Sequence, residues 1–317
     1  MRAAFVKALV KLAEQDSRIL LLTGDLGYMA LEPFIEKFPK RFFNVGVAEQ
    51  NLVGLATGLA ESGFIPFVYS IVPFVTLRPY EFIRNGPVQH HLPVRIVGMG
   101  GGFEYATNGV SHYGLEDVGV MRMLPGMTII APADHEQAFN AVLATAELSG
   151  PVYYRLGKDD KTVVQGLDGR FELGRIQVLH EGEDILMAVM GSIAGEAVAA
   201  ARILEGRGIG ARVVLVSSFS SAPPDDLAKE LANFRDALTL EAHYPLGGVG
   251  SLVCEIVAEQ GLGTRVLRCA VGSCNEGITG NQRFLYERHG LSAELVAEKA
   301  LRLLRDTPRW TATTRSL

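Results

Sequence analysis

Glu49 has the setting in this chain that most invites chemistry. It closes the stretch FFNVGVAE (42–49), where an apolar strand delivers a carboxylate among Val, Gly and Ala, immediately before a helix containing Gly54 and Gly58. A carboxylate with so few solvating neighbours holds its proton more tightly, so Glu49 is expected to exchange a proton near neutral pH. The position equally suits an acid held at a helix start by the helix dipole, which needs no function. His112, in NGVSHYG (108–114), is the second candidate, because imidazole is the side chain that most readily donates and accepts protons near neutrality. Alone, it reads as readily as a packing histidine. Phe74 is either core or a stacking surface, and the His90–His91 pair carries no supporting pattern. Three further features bear on anionic ligands. Arg155 and Lys158 stand close together in YYRLGKDD (153–160), and Gly100–Gly101–Gly102 can offer backbone N–H groups to a phosphate. Gly24–Asp25 is followed by Leu, so there is no Gly-Asp-Gly run and no set of clustered oxygen ligands for a divalent cation.

Positioning these residues requires a scaffold, and its pattern repeats along the chain. Short β-branched runs (RILLLTGD, FIPFVYSIV, PVRIVGMG, MTIIAPAD, PVYYRLG) alternate with helical stretches, including 49–62 and a helix opened by Asp134 with Gln137 three residues on. A second series follows: DILMAVM, helix 195–207, ARVVLVSSF, helix 224–234, DALTLEAHY, helix 248–260, TRVLRCAV and helix 292–305. This alternation predicts an α/β protein of two doubly wound domains, 1–160 and 183–307, joined by a linker at 161–182 and ended by a loose tail at 308–317. The 317 residues suit two domains with ample cores. With 30 basic against 35 acidic residues and no basic block, a nucleic-acid partner is disfavoured, and no apolar run reaches the ~18 residues of a membrane span. Three cysteines, Cys254, Cys269 and Cys274, make an odd set without metal-ligand spacing, which points to a reducing cytoplasm.

Three segments together resemble the pyrimidine-binding half of transketolase, a thiamine diphosphate enzyme. They are NVGVAEQN with its small-residue helix, FVYSIVPFVTLRPYEFIRN (67–85), and NGVSHYGLEDVGVMRMLPGMTIIAPAD (108–134). EAHYPLGGVGSLV and GNQRFLYERHGLSAELVAEKALRLL resemble the C-terminal domain of the same family, so the likeness runs from Arg2 to about residue 306. The resemblance implies that Glu49 is catalytic, hydrogen-bonding the cofactor's aminopyrimidine and driving the tautomer that removes the thiazolium proton. It further implies that Phe74 stacks on that ring, that Arg78 and Asp25 lie on the cofactor side, and that His112 is catalytic and contacts substrate hydroxyls. Asn108, Arg155 and Lys158 become the other substrate residues. Tyr113 and Asn108 stand where the family usually has Gln and Asp, and Pro79 replaces a small residue.

What the resemblance implies as a whole is one subunit of a split transketolase, transferring a two-carbon ketol unit from a ketose to an aldehyde. The Mg²⁺ and diphosphate would then be held by a separate N-terminal subunit in an α2β2 assembly acting on sugars or sugar phosphates. The alternatives are the β subunit of a 2-oxoacid dehydrogenase E1, which lacks the F-x3-R and S-H-x3-E-D stretches, and a non-catalytic dimerising or regulatory relative. A deoxyxylulose-phosphate-synthase-like condensation is a third, disfavoured because that enzyme normally carries both domains in one chain. The absence of a serine near Met29 and of side chains in Gly100–Gly102 points to a substrate whose anionic group is missing or is held elsewhere. Equally open is an ordinary pentose-phosphate transketolase relying on Arg155, Lys158 and partner-subunit residues.

Overall fold

The computed structural model describes residues 1–219, 225–274 and 277–305. The first unit runs α1 (Arg2–Gln15), β1 (Ile19–Thr23), α2 (Glu32–Lys37), β2 (Phe42–Asn44), α3 (Glu49–Glu61), β3 (Ile65–Ile71), α4 (Val72–Thr76), α5 (Tyr80–Ile83), β4 (Arg95–Met99), α6 (Asp117–Arg122), β5 (Thr128–Ile130), α7 (His135–Thr145) and β6 (Val152–Leu156). The second runs β7 (Ile176–His180), β8 (Ile185–Val189), α8 (Ala194–Glu205), β9 (Ala211–Val216), β10 (Ser218–Phe219), α9 (Asp225–Ala232), β11 (Asp236–Leu240), α10 (Val249–Glu259), β12 (Arg265–Cys269), α11 (Gln282–Arg288) and α12 (Ala293–Arg305). Two mostly parallel sheets result, ordered β10-β5-β6-β4-β3-β1-β2 and β12-β11-β8-β9-β7.

The apolar runs become strands because both their faces are covered. β1, β4, β6 and β8 are buried along their whole length, which is why they read as continuous hydrophobic segments rather than alternating ones. On one face of the first sheet Phe5 and Leu9 of α1 meet Ala138 and Val142 of α7. On the other, Leu52 and Val53 of α3 and Met121 of α6 belong to an apolar cluster that continues through Leu186 and Val214 to Val253 of α10. The Asp134 cap is formed as its spacing predicts. Asp134 Oδ1 accepts from the Gln137 N–H at 2.9 Å, and Gln137 Oε1 accepts from the Ala133 N–H at 2.8 Å.

Two sequence expectations change. Residues 161–182 are not a plain linker, since β7 lies within them as the antiparallel edge strand beside β9. Its half-buried alternation is too short to stand out from the polar stretch around it. The run ARVVLVSSF also divides: β9 stays in the second sheet, while β10 leaves it to pair antiparallel with β5 of the first. The units are therefore stitched by backbone hydrogen bonds as well as by packing. The 308–317 tail lies outside the described residues.

The junction between the units contains buried ions. Arg155, at the end of β6, pairs with Asp117 of α6 at 2.8 Å and donates to the carbonyls of Gly114 and Ala242 at 2.8 and 3.0 Å. Tyr153 also donates to Asp117 at 2.7 Å. Breaking a buried pair strands the remaining charge, at a cost of about 3–5 kcal/mol. Arg155→Ala is accordingly expected to lower unfolding free energy by roughly that amount, with a Tm drop of several degrees, measured by denaturant titration and calorimetry. A change below ~1 kcal/mol would mean the pair is not the clasp described here.

Candidate active site

In parallel α/β sheets the loops leaving the carboxyl ends of the strands share one edge, and ligands bind there. Every sequence-predicted site residue falls on that edge. Asp25 follows β1, Glu49 opens α3 after β2, Phe74 and Arg78 follow β3, Asn108 and His112 follow β4, and Arg155 and Lys158 close β6. The register of β1 between β2 and β3 brings the first three loops side by side.

Glu49 is 2% exposed. Its surroundings are not only apolar, as the sequence suggested, because Arg78 Nη1 donates to Oε2 at 2.9 Å. Oε1 is buried and has no partner. Behind it, Gly24 packs so closely that a Cβ there would lie 3.6 Å from Oε1. Phe74 and Arg78 are one helical turn apart, which lets the guanidinium lie over the phenyl ring, 3.9 Å from its centroid. Phe74 in turn meets His112 edge-on at 5.0 Å. Glu49, Arg78, Phe74 and His112 thus form one continuous row.

His112 hydrogen-bonds Ser111 through Nδ1 at 3.0 Å. Partial burial and the nearby Arg78 charge push its pKa down, so the ring is neutral at pH 7 and can take up a proton. Tyr105 stands 6.3 Å beyond His112, and the Lys158 ammonium lies over the Tyr105 ring at 4.8 Å. Sequence reasoning missed Tyr105, although an aromatic between a glycine run and a candidate histidine was a usable signal. Asn108 is exposed at the end of the turn preceding His112. Asp25 is exposed, accepts from Tyr28 and Asn44, and has its carboxyl held low by the Asn44 and then the Tyr28 hydrogen bond.

Three sequence expectations are corrected. Arg155 is 4% exposed and its hydrogen bonds go to Asp117, Gly114 and Ala242, so it is part of the domain junction rather than a substrate anion site. The three glycines offer no free N–H groups: Gly100 and Gly101 donate to the Leu156 carbonyl and Gly102 to Gly114. Gly101 is glycine because a Cβ would lie 2.7 Å from the Arg155 guanidinium carbon. Tyr113 points inward, edge-on to Phe103, with its hydroxyl on the Ala106 carbonyl, so it does not replace a substrate-facing Gln.

Comparison with known proteins accords with this arrangement. Residues 1–162 match the transketolase pyrimidine-binding domain and residues 174–296 the transketolase C-terminal domain. This chain belongs to the transketolase family. It is 34% identical over 304 residues to a putative transketolase C-terminal section from Methanocaldococcus jannaschii, covering 95% of each chain. It is 33% identical to the 6-deoxy-6-sulfo-D-fructose transketolase subunit SqwH of a Clostridium species, covering 95% of this chain and 93% of that one. The solved structure of a split-gene transketolase, an inactive β4 tetramer, superposes with a TM-score of 0.85 at 36% identity over 96% of this chain and 98% of that one. Transketolase from Campylobacter jejuni, at 18% identity and a TM-score of 0.77, shares the fold over 46% of its own length. These relatives do not favour the 2-oxoacid dehydrogenase reading.

The family implies thiamine diphosphate, and the residues fit its aminopyrimidine. Glu49 Oε1 is a buried polar atom without a partner, which a pyrimidine ring nitrogen sharing one proton with it would satisfy. The Phe74 ring is linked to Glu49 through Arg78. Among the described residues no three His, Cys, Asp or Glu side chains converge to hold a metal ion, and no helix is long and apolar enough to cross a membrane. NMR titration of His112 in the full chain should give a midpoint below the ordinary value of 6.5. The midpoint should move upward in Arg78→Ala, since removing a neighbouring cation favours the imidazolium. A midpoint above 6.5 in the wild type would contradict the site as described.

Proposed function

We propose that this chain is the pyrimidine-side subunit of a heteromeric transketolase that moves a two-carbon ketol unit from a ketose to an aldehyde. The observation that carries the reading is the buried carboxylate of Glu49, with one oxygen unpartnered, in a row with Phe74 and His112 at the carboxyl edge of the sheet. Thiamine diphosphate supplies the thiazolium carbon on which such a transfer depends. Glu49 Oε1 accepts the pyrimidine N–H and, shielded from water, keeps that proton in place. Phe74 gives the ring an apolar support. Neutral His112 takes a proton from, or returns it to, a substrate hydroxyl. Asp25 and Asn108 lie on loops of the same sheet edge. Mg²⁺ and the diphosphate belong on a separate N-terminal subunit, in an α2β2 arrangement.

The anionic end of the substrate is recognised by Lys158 rather than Arg155. Arg155 is sealed in the junction, the Gly100–Gly102 N–H groups are spent within the fold, and Met29, at the position expected for a serine, is 96% exposed. Lys158 is exposed and lies over the ring of Tyr105, which is itself 6.3 Å from His112. Relatives named for 6-deoxy-6-sulfo-D-fructose and for apulose 4-phosphate, both anionic sugars, support an anionic substrate.

Two measurements on the complex reconstituted with a diphosphate-binding subunit test the reading. Glu49→Gln should abolish hydrogen–deuterium exchange at the thiazolium C2 while leaving the fold intact, and wild-type exchange in this variant would refute the assignment. Lys158→Ala should lower kcat/KM for anionic aldoses relative to neutral ones by about 10–100-fold, the loss of one charge-assisted hydrogen bond. An unchanged ratio would remove Lys158 from substrate recognition.

A further inference from the structure

Arg78 makes two contacts at once, and both are with groups that the proposed function assigns to the cofactor ring. Its Nη1 donates to Glu49 Oε2 at 2.9 Å, and its guanidinium carbon lies 3.9 Å from the centroid of Phe74. A guanidinium is flat, cationic and edged with N–H donors, so it stacks on an aromatic face and pairs with a carboxylate. Arg78 leaves Oε1 open but covers the Phe74 face that the pyrimidine would need, and that overlap is where the two compete. Without it, both oxygens of a carboxylate that is 2% exposed would lack a partner. A subunit that has to fold before meeting its cofactor needs some such neutralising group.

We propose that Arg78 is a displaceable internal stand-in for the cofactor's aminopyrimidine, neutralising Glu49 while this subunit stands alone and swinging out to solvent when the complete site is formed. The inference rests on the proposed function. Exposure separates Arg78 from Arg155, the buried ion-paired arginine of this edge. Arg155 is 4% exposed and is held by Asp117, Gly114 and Ala242, with no route out. Arg78 is 41% exposed, bonds one carboxylate oxygen and follows the short α4, so rotation of its side chain alone releases it. Leaving Glu49 also carries the cation away from His112, through the Phe74 ring that both residues touch. Cofactor entry would thereby reset the proton affinity of His112.

A stand-in taxes binding, because the apparent dissociation constant is the intrinsic one divided by the fraction of molecules in which Arg78 has moved away. Thiamine diphosphate with Mg²⁺ is therefore expected to bind the reconstituted Arg78→Ala complex about tenfold more tightly than the wild type, read by calorimetry. The isolated Arg78→Ala chain should melt several degrees lower, and adding Glu49→Gln should restore most of that loss. Arg78→Met, which keeps the stem, serves if the alanine variant does not assemble. Weaker or unchanged binding in the variants beside tight wild-type binding overturns the stand-in and leaves the proposed function standing. No restoration by Glu49→Gln overturns the neutralising role. No binding by the wild-type complex overturns the proposed function and the stand-in with it.

Discussion

Arg155 and Asp117 bury opposite charges where the two sheets meet, and the loop that carries His112 is laid over them. Arg155 donates to Gly114 and Ala242 as well as to Asp117, which binds the end of β6 to the 100–114 loop and to the second unit. The glycines of that loop follow from the same pair. Gly101 must admit the guanidinium, and Gly102, with φ at +64°, must admit Ala242, so a side chain at either would push the loop off the junction. The position of the candidate histidine is thus set by a structural salt bridge several residues away.

The junction extends through groups that titrate. Glu241, at the end of β11, accepts the first N–H groups of α10 from Val249 and Gly250, and burial pushes its carboxyl up to about 7. His243 is fully buried, places Nδ1 2.7 Å from the Tyr244 carbonyl and accepts the Gly119 N–H of α6 at 3.3 Å. That pattern assigns the proton to Nδ1 and keeps the ring neutral, in line with a pKa lowered by burial. A carboxyl raised in the folded state contributes stability that fades as pH rises through about 7, whereas a lowered histidine contributes stability that fades in acid. The two slopes oppose each other, so their contributions partly cancel where both groups titrate.

Two arginines at one edge show how burial decides a cation's use. Arg155 is surrounded on all sides by acceptors from three segments and holds the structure together. Arg78 has one acceptor and one ring beneath it, and its side chain is 41% exposed. The first arrangement resists change and the second permits it, which suits a site assembled from two chains.

The amino-acid sequence by itself determined the elements and their class. Fully buried strands of a parallel sheet are continuous apolar runs, and the Asp134–Gln137 cap lies within four residues, so both are local signals. Glu49, Phe74 and His112 were legible because each stands within a stretch of family pattern, and Glu49 also because its neighbours are small and apolar. The tertiary structure alone decided which cation is left exposed. Arg155 and Lys158 are three residues apart and look equivalent in the sequence, but β6 ends between them, leaving one inside the junction and the other outside. It also decided that β10 crosses to the first sheet, and that Arg78 joins Glu49 to Phe74. Those pairings span long stretches of chain, and no local pattern records which distant surface a short strand or a long side chain will meet.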